Sequence, residues 1–471
     1  MTRVVIVGGG PGGYEAALVA SQLGGEVTLI DTDGLGGSAV LTDCVPSKTL
    51  IATAEVMTGV TESNELGIRF GAEHATNAET VVSVDLAGVN ARVLMGPDPQ
   101  AGDIAGRLEG QGVTIVQARG RLDGPERVIA DTDHGEQIFD ADVILIATGA
   151  HPRVLPDAVP DGERILTWTQ VYALDRLPEK LIVVGSGVTG AEFASAYDAL
   201  GAEVVLVSSR DRVLPGEDAD AAQVLEDVFS RRGLTVLSKV RAESVTRDGD
   251  RVLVRLDDGR EIVGSHALLA VGSIPNTADL GLVEAGVTLD RRGFVSVDKV
   301  SRTSARGIYA AGDCTGVLML ASVAAMQGRI AMWHALGDAV APLDLRIVSS
   351  NVFTAPEIAT VGLSQAQADV SEPKVATVTL PLQGNARAKM QGLREGFVKL
   401  FCLPVTGIVV GGVVVAPRAS ELIYPLAIAV AERLTVDQVA GSFTVYPSVS
   451  GSLAEAARQL HLHGSELGSK E

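Results

Sequence analysis

Val4-Val5-Ile6-Val7-Gly8-Gly9-Gly10-Pro11-Gly12-Gly13 lies at the start of the chain, and Ile182-Val183-Val184-Gly185-Ser186-Gly187-Val188-Thr189-Gly190 repeats it, with Gly185 standing where Gly8 stands. Each is an apolar strand running through G-x-G-x-x-G into a helical stretch, Tyr14 to Leu18 in one copy and Ala191 to Ala194 in the other. The first glycine permits a tight turn and the second lets a pyrophosphate approach the backbone. The third allows helix and strand to pack closely, with the phosphates over the helix N-terminus. One such match can be merely structural. Two in register imply two dinucleotide sites.

A carboxylate about 20 residues further on ordinarily takes the adenosine ribose hydroxyls. In the first copy Val27-Thr28-Leu29-Ile30 ends in Asp31. In the second, Val204-Val205-Leu206-Val207 ends in Ser208, followed by Ser209, Arg210 and Arg212. A carboxylate repels a 2′-phosphate, whereas hydroxyls and a guanidinium bind one. The second site therefore favours NADP(H), with NAD(H) possible; the alternative is that Arg210 and Arg212 are solvated loop charges.

Two continuous aliphatic runs, Val143 to Ile146 before Ala147-Thr148-Gly149 and Ala267 to Val271 before Gly272, suit strands buried on both faces. Gly307 to Asp313 offers another strand ending in Gly312-Asp313, with a helix from Ala321 to about Trp333. With Cys44-Val45-Pro46-Ser47-Lys48, Phe353-Thr354-Ala355-Pro356-Glu357 and Asn385-Ala386-Arg387-Ala388-Lys389, these motifs make a specific set. Along essentially its whole length the chain resembles the flavoprotein pyridine nucleotide–disulfide oxidoreductases, the family of lipoamide dehydrogenase and glutathione reductase. The resemblance implies an α/β fold: two Rossmann-like dinucleotide-binding domains plus a C-terminal α+β dimerisation domain.

It also implies FAD in the first fold, held by Gly8, Gly10, Gly13, Asp31, Ser38, Lys48, Gly120, Thr148, Gly149, Gly312, Asp313 and Ala321. NAD(P)H would occupy the second, held by Gly185, Gly187, Gly190, Ser208, Arg210 and Gly272. The implied order is an FAD-binding domain over 1–150, an NAD(P)-binding domain over 151–276, a return to the FAD domain over 277–345, and an interface domain over 346–471. The Pro-rich stretch His151 to Pro156 marks the first crossover and Pro275-Asn276 the return.

The pattern breaks at two places. The family's reactive disulfide lies in Gly-Gly-Thr-Cys-x-x-x-x-Cys-x-Pro-Ser-Lys, and here Gly36-Gly37-Ser38-Ala39-Val40-Leu41-Thr42-Asp43-Cys44-Val45-Pro46-Ser47-Lys48 keeps only the second cysteine. Cys314 and Cys402, read as core residues, lie in segments the family does not bring there, so no local redox disulfide forms. The C-terminal His-Pro-Thr segment with its Glu, supplied across the dimer as acid–base partner to the outer thiol, is replaced by Tyr446-Pro447-Ser448-Val449-Ser450-Gly451. A phenol with a pKa of about 10 does not shuttle protons near neutrality. Both losses remove parts of one mechanism, thiol–disulfide interchange.

The flavin machinery is kept. By the resemblance Lys48 and Glu192 pair beside the flavin, and Cys44, Lys48, Glu192 and Tyr446 are the candidate catalytic positions. The alternatives are a solvated charge for Lys48 and a first-turn carboxylate for Glu192, the reading favoured for Glu15. Cys44, at a helix start beside Lys48, is either a thiolate of lowered pKa or a buried remnant packing like a small apolar residue. Without a disulfide the electrons pass from NAD(P)H through FAD to an acceptor reaching the flavin directly, with space freed at Ala39. The expected activity is an NAD(P)H:quinone oxidoreductase acting on small-molecule quinones. Transhydrogenation between pyridine nucleotides and a non-catalytic redox sensor using Cys44 are the competing expectations.

A length of 471 residues fits about three domains, and 46% hydrophobic residues with mean hydropathy +0.27 suffice for large cores. Net charge −20 and pI ≈ 4.8 argue against nucleic acid and anionic membranes as partners. No run is long enough to span a bilayer, the early first strand leaves no room for a signal peptide, and three cysteines make no disulfide framework. A cytoplasmic homodimer is the resulting expectation. Segment 51–110 reads as long helices, Val375 to Leu380 and Gly396 to Leu403 as antiparallel strands, and Gly407 to Val415 as a glycine-broken strand pair. The tail from His461 reads as mobile, and His461 and His463 as solvated groups that bind no metal.

Overall fold

The computed structural model describes residues 1–68 and 82–461. Both fingerprints seed the same architecture. Arg3–Val7 is the central strand of a five-stranded parallel sheet in the order Ile308–Ala310, Val143–Ile146, Arg3–Val7, Glu26–Asp31, Thr114–Gln117. Lys180–Val184 is central to a second, in the order Thr235–Leu237, Glu203–Val207, Lys180–Val184, His266–Leu269, Ile165–Thr167. These strands lack polar–apolar alternation because both faces are covered, one by helices and the other by a small antiparallel sheet. Strand order reverses beside each central strand, so each fingerprint opens at the crevice where doubly wound sheets bind ligands.

The glycines fit the geometry assigned to them. Gly8 has φ +109°, and a Cβ there would lie 2.2 Å from the Ala147 carbonyl oxygen. A Cβ on Gly13 would lie 1.8 Å from the Gly8 oxygen, so the fingerprint helix Pro11–Gln22 reaches the strand only through glycine. That helix crosses Ala321–Ala335 where a Cβ on Gly328 would stand 2.0 Å from the Gly12 oxygen. Glu15 is no first-turn carboxylate; its Oε2 accepts a 2.8 Å hydrogen bond from Arg329 Nε and pairs with Arg329 Nη2 at 2.8 Å, joining these two helices.

The two crossover segments pair with each other: Ala150–Pro152 and Ser273–Pro275 form an antiparallel two-stranded ribbon. Each dinucleotide-type unit also carries a three-stranded antiparallel sheet that the aliphatic-run reading missed, Arg119–Leu122/Arg127–Thr132/Gly135–Asp140 and Ala242–Asp248/Arg251–Leu256/Glu261–Gly264. Segment 51–110 holds the end of helix Cys44–Glu62 and helices Leu86–Met95 and Pro97–Gly110; its part at 69–81 lies outside the described residues.

The last unit is a five-stranded antiparallel sheet, Ser349–Val352, Glu357–Gly362, Val409–Ala416, Phe397–Cys402 and Ala376–Pro381. Val398, Leu400 and Cys402 face helices Tyr424–Ala431 and Gly451–Gln459, while Phe397 and Phe401 pack with Leu225 and Phe229 of the second dinucleotide-type unit. Lys399, on that second face, is 1% exposed and bonds Asp218, 2% exposed, at 2.8 Å. The segment at 407–415 corrects the strand-pair expectation, since it is one strand from Val409. Its glycines serve close packing: a Cβ on Gly411 would meet the Leu363 backbone at 2.7 Å, and one on Gly412 the Leu426 side chain at 2.8 Å. His461 is 2.5 Å from Asp437, not simply solvated, and His463 lies outside the described residues.

Candidate active site

A cavity of about 610 Å³ runs from the first fingerprint to the Cys44 segment. Its wall includes Gly8, Gly10 and Gly12 at one end, Asp31 beside them, Ser38, Ala39, Asp43 and Cys44 along one side, and Thr148, Gly149, Gly312, Asp313 and Ala321 along the other. A Cβ on Gly10 would meet only Gly37, at 3.8 Å, so the glycine-lined end has room for a phosphate. Asp31 accepts bonds from Gly9 N at 2.5 Å, Gly34 N at 2.6 Å and Asp33 N at 2.9 Å. Burial still raises its pKa against those three bonds.

Gly312 is fixed by its N–H, which donates to Gln327 Oε1 at 2.9 Å. Asp313 is pushed up to about 6 by burial, with the nearby Asp43 carboxylate adding to the rise. Thr148 Oγ1 donates to the Asn276 carbonyl at 2.6 Å and Asn276 Nδ2 to the Thr148 carbonyl at 2.8 Å. These bonds tie the Ala-Thr-Gly turn to the return crossover.

Helix Cys44–Glu62 and helix Val188–Ala199 bring the two halves together. Lys48 Nζ donates to Glu192 Oε2 at 2.8 Å, with the lysine side chain 30% exposed and the glutamate 4%. Glu192 Oε1 accepts the Phe353 N–H at 2.9 Å, and Lys48 Nζ stands 5.0 Å from the Phe353 ring centre. Burial disfavours the Lys48 ammonium, but Glu192, with smaller help from Cys44 and Asp43, offsets it and the pKa is raised. Neither solvated charge nor helix-dipole carboxylate describes this pair.

Cys44 corrects the low-pKa alternative. Burial pushes the thiol up to about 11, Asp43 adds to the rise, and Lys48 only partly opposes it. Cys314 is fully buried against the Ile146 and Ala311 carbonyls, and Cys402 is in the last unit's core. All three cysteines are free.

Other sequence candidates lie apart from this cavity. Gly13 is a packing glycine, and Gly120 packs its backbone on Val7 and Ile30. Tyr446 is 86% exposed and is not in the wall. At the second fingerprint Gly185 and Gly190 are crowded by the Ala270 and Gly185 carbonyls, whereas a Cβ on Gly187 or on Gly272 would meet nothing within 4 Å. That end too has open backbone for a phosphate. Ser208 is a correction: it is fully buried, its Oγ 2.6 Å from Ser186 Oγ and accepting the Arg210 N–H at 3.1 Å, so it builds the turn. Ser209 and Arg210 are exposed.

Residues the sequence reading passed over also shape the cavity: Asp43, His151, Trp168, Asn276 and Met319 line it, and Gln327 orients Gly312. Asp43 carried a signal, a carboxylate directly before the helix bearing Cys44. The others arrive from separate elements and had none.

The profile of the pyridine nucleotide-disulphide oxidoreductases matches residues 2–328, and that of their dimerisation domain matches 348–457. The chain belongs to this family. FAD and NAD(P)H are thus its cofactors, and the two glycine-lined sites have the open backbone that such groups need. The chain is 54% identical over 473 aligned residues to an NAD(P)H dehydrogenase (quinone) of Mycobacterium tuberculosis, covering 98% of this chain and 94% of that protein. A dihydrolipoyl dehydrogenase of Chlamydia pneumoniae is 32% identical, with 96% and 95% covered. Among solved structures, LpdA from M. tuberculosis superposes with a TM-score of 0.92 at 53% identity, covering 98% of this chain and 100% of that one. The flavoprotein disulfide reductase RclA from Escherichia coli shares the fold, with a TM-score of 0.85 at 24% identity.

Proposed function

We propose that the protein is an FAD-dependent NAD(P)H:quinone oxidoreductase whose electrons leave without a redox disulfide. The observation that carries this reading is Ala39 in the same cavity wall as Cys44, with Cys314 and Cys402 each buried in a separate core. Sulfur has no partner sulfur there. The name of the M. tuberculosis relative supports the same acceptor class.

Bound FAD supplies the two-electron relay between nicotinamide and acceptor. Gly8, Gly10 and Gly12 would receive its pyrophosphate at the helix N-terminus, Asp31 its adenosine ribose, and Gly312 and Asp313 its ribityl chain, with Ala321 near the ring. The Lys48 ammonium, held by Glu192, would supply the positive charge that a reduced ring needs beside it. Gly187 and Gly272 leave backbone open for the nicotinamide nucleotide. Exposed Arg210, whose guanidinium has no ion pair among the described residues, favours NADP(H) through its 2′-phosphate, while NAD(H) is also used. The partners are small quinones in the cytoplasm and a second copy of the chain; Tyr424, Phe443, Val445 and Tyr446 present apolar surface for that contact. No described helix is long and apolar enough to cross a membrane.

The FAD-loaded protein should oxidise NADPH, and NADH less efficiently, with a benzoquinone as acceptor, and should leave lipoamide untouched. Turnover of lipoamide that persists in Cys44→Ser overturns the reading, as does hydride exchange from NADPH to an NAD analogue that outruns quinone reduction.

A further inference from the structure

Asp43 stands at the N-cap of helix Cys44–Glu62, where an aspartate ordinarily accepts the N–H of the second or third helical residue. The third helical residue is Pro46, which has no N–H, and Asp43 makes no capping bond. Among the described residues no hydrogen bond or ion pair engages its carboxyl. It lines the cavity in the wall that contains Ala39 and Cys44. A carboxyl group thus lines the cavity beside Cys44 and does no structural work.

The groups around it come from four elements. Cys44 and Lys48 follow on its own helix, Glu192 comes from helix Val188–Ala199, Tyr172 from the turn Val171–Ala173, and Asp313 from the Gly312 turn. Lys48 is the one cation in this set, and Glu192 already holds it. Tyr172 is 3% exposed, and its hydroxyl meets the hydrogen-bond geometry with no group among the described residues. Burial raises the Asp43 pKa; Lys48 opposes the rise and Glu192 adds to it.

We propose that Asp43 is the acid that protonates the reduced quinone, an inference that rests on the quinone reading above. A quinone becomes a hydroquinone by taking two electrons and two protons. NAD(P)H supplies, through the enzyme, two electrons and one proton, which leaves one hydroquinone oxygen as an anion. The Asp43 O–H bond breaks, its proton forms the second hydroquinone O–H bond, and a hydronium ion from solvent returns a proton to the carboxylate, leaving water. The net reaction is NAD(P)H + H⁺ + quinone giving NAD(P)⁺ + hydroquinone.

Asp43→Asn keeps the shape and cannot deliver the proton. Its rate with a benzoquinone, divided by its rate with ferricyanide, which takes electrons without protons, should fall about 10²-fold from wild type. On acidification the wild-type protein should also show an infrared carbonyl band of a protonated carboxylic acid that grows in at a higher pH than for a free aspartate and is missing in Asp43→Asn. An unchanged rate ratio, or no such band assigned to Asp43, overturns the proposal. If Asp43→Asn does not fold, Pro46→Ala carries the test: the restored N–H binds the carboxylate, so the same ratio should fall and the band should weaken, and no change in either is contrary. A wild-type protein active with ferricyanide and inert with quinones refutes the quinone reading instead, so the two failures are distinguishable.

Discussion

Lys48 and Glu192 meet from 144 positions apart, and that 2.8 Å contact joins helix Cys44–Glu62 to the second nucleotide fold in the proposed redox centre. Glu192→Gln can keep the bond from Phe353 N but leaves the Lys48 ammonium partly buried with no anion on it. The expected cost is about 1–3 kcal/mol, less than for a fully buried pair because water screens the lysine. Equilibrium denaturation checks this, and an unchanged midpoint is contrary. Asp313 gives a pH signature. Its folded pKa of about 6 lies above the ordinary 3.8 because of burial and then Asp43. The folded state therefore binds its proton more tightly than the unfolded one. That stabilisation is fully present below about pH 3.8 and is lost as pH rises through 6. Asp313→Asn should therefore stabilise the apoprotein by roughly 1–2 kcal/mol at pH 8 relative to wild type and change little at pH 4. Denaturant melts at the two pH values check it, and an equal difference at both contradicts it.

Helix Ala321–Ala335 crosses the fingerprint helix through Gly12 and Gly328. Gly328→Ala places a methyl against the Gly12 carbonyl, and overpacking of that kind costs about 1–3 kcal/mol. A lower Tm with reduced FAD retention is expected; full retention at the wild-type Tm contradicts it. At this scale the sequence was most legible where side chains obey one period. The aliphatic runs at Val4, Val143 and Ile182 gave their parallel strands, and the runs near Val375 and Gly396 gave antiparallel ones. It was least legible where glycine serves packing rather than turning, as at Gly411 and Gly412. Of the candidate site, the Lys48–Glu192 pair and the place of Asp313 in the cavity wall were legible, because their motifs are local. Asp31 could be located but its bonds to Gly9 and Gly34 could not be read. Burial of Ser208, which takes it from the nucleotide into the turn, and burial of the Cys44 thiol depend on tertiary neighbours and so left no local mark. Gln327 and Asn276 reach the site from other elements for the same reason.

For the whole molecule, Lys399 locks the last unit to the second nucleotide fold. The alternation that sends Val398 and Leu400 toward one face sends Lys399 toward Asp218, which also caps helix Ala219–Arg232 through Asp220 N and Ala221 N. Lys399→Met fills the space and strands a buried carboxylate, with an expected loss of about 3–5 kcal/mol. Removing both charges in Lys399→Met/Asp218→Asn should recover much of it; calorimetric melts of the two variants decide, and an equal loss in both is contrary.

At the same scale, the proposed function requires oxidising equivalents to reside on one group alone, because Ala39 leaves Cys44 without a disulfide partner. Anaerobic titration of the FAD-loaded protein with NADPH tests this most directly. Complete bleaching of the flavin at one NADPH per FAD, with nothing further consumed, is expected; uptake of a second NADPH per FAD would contradict it.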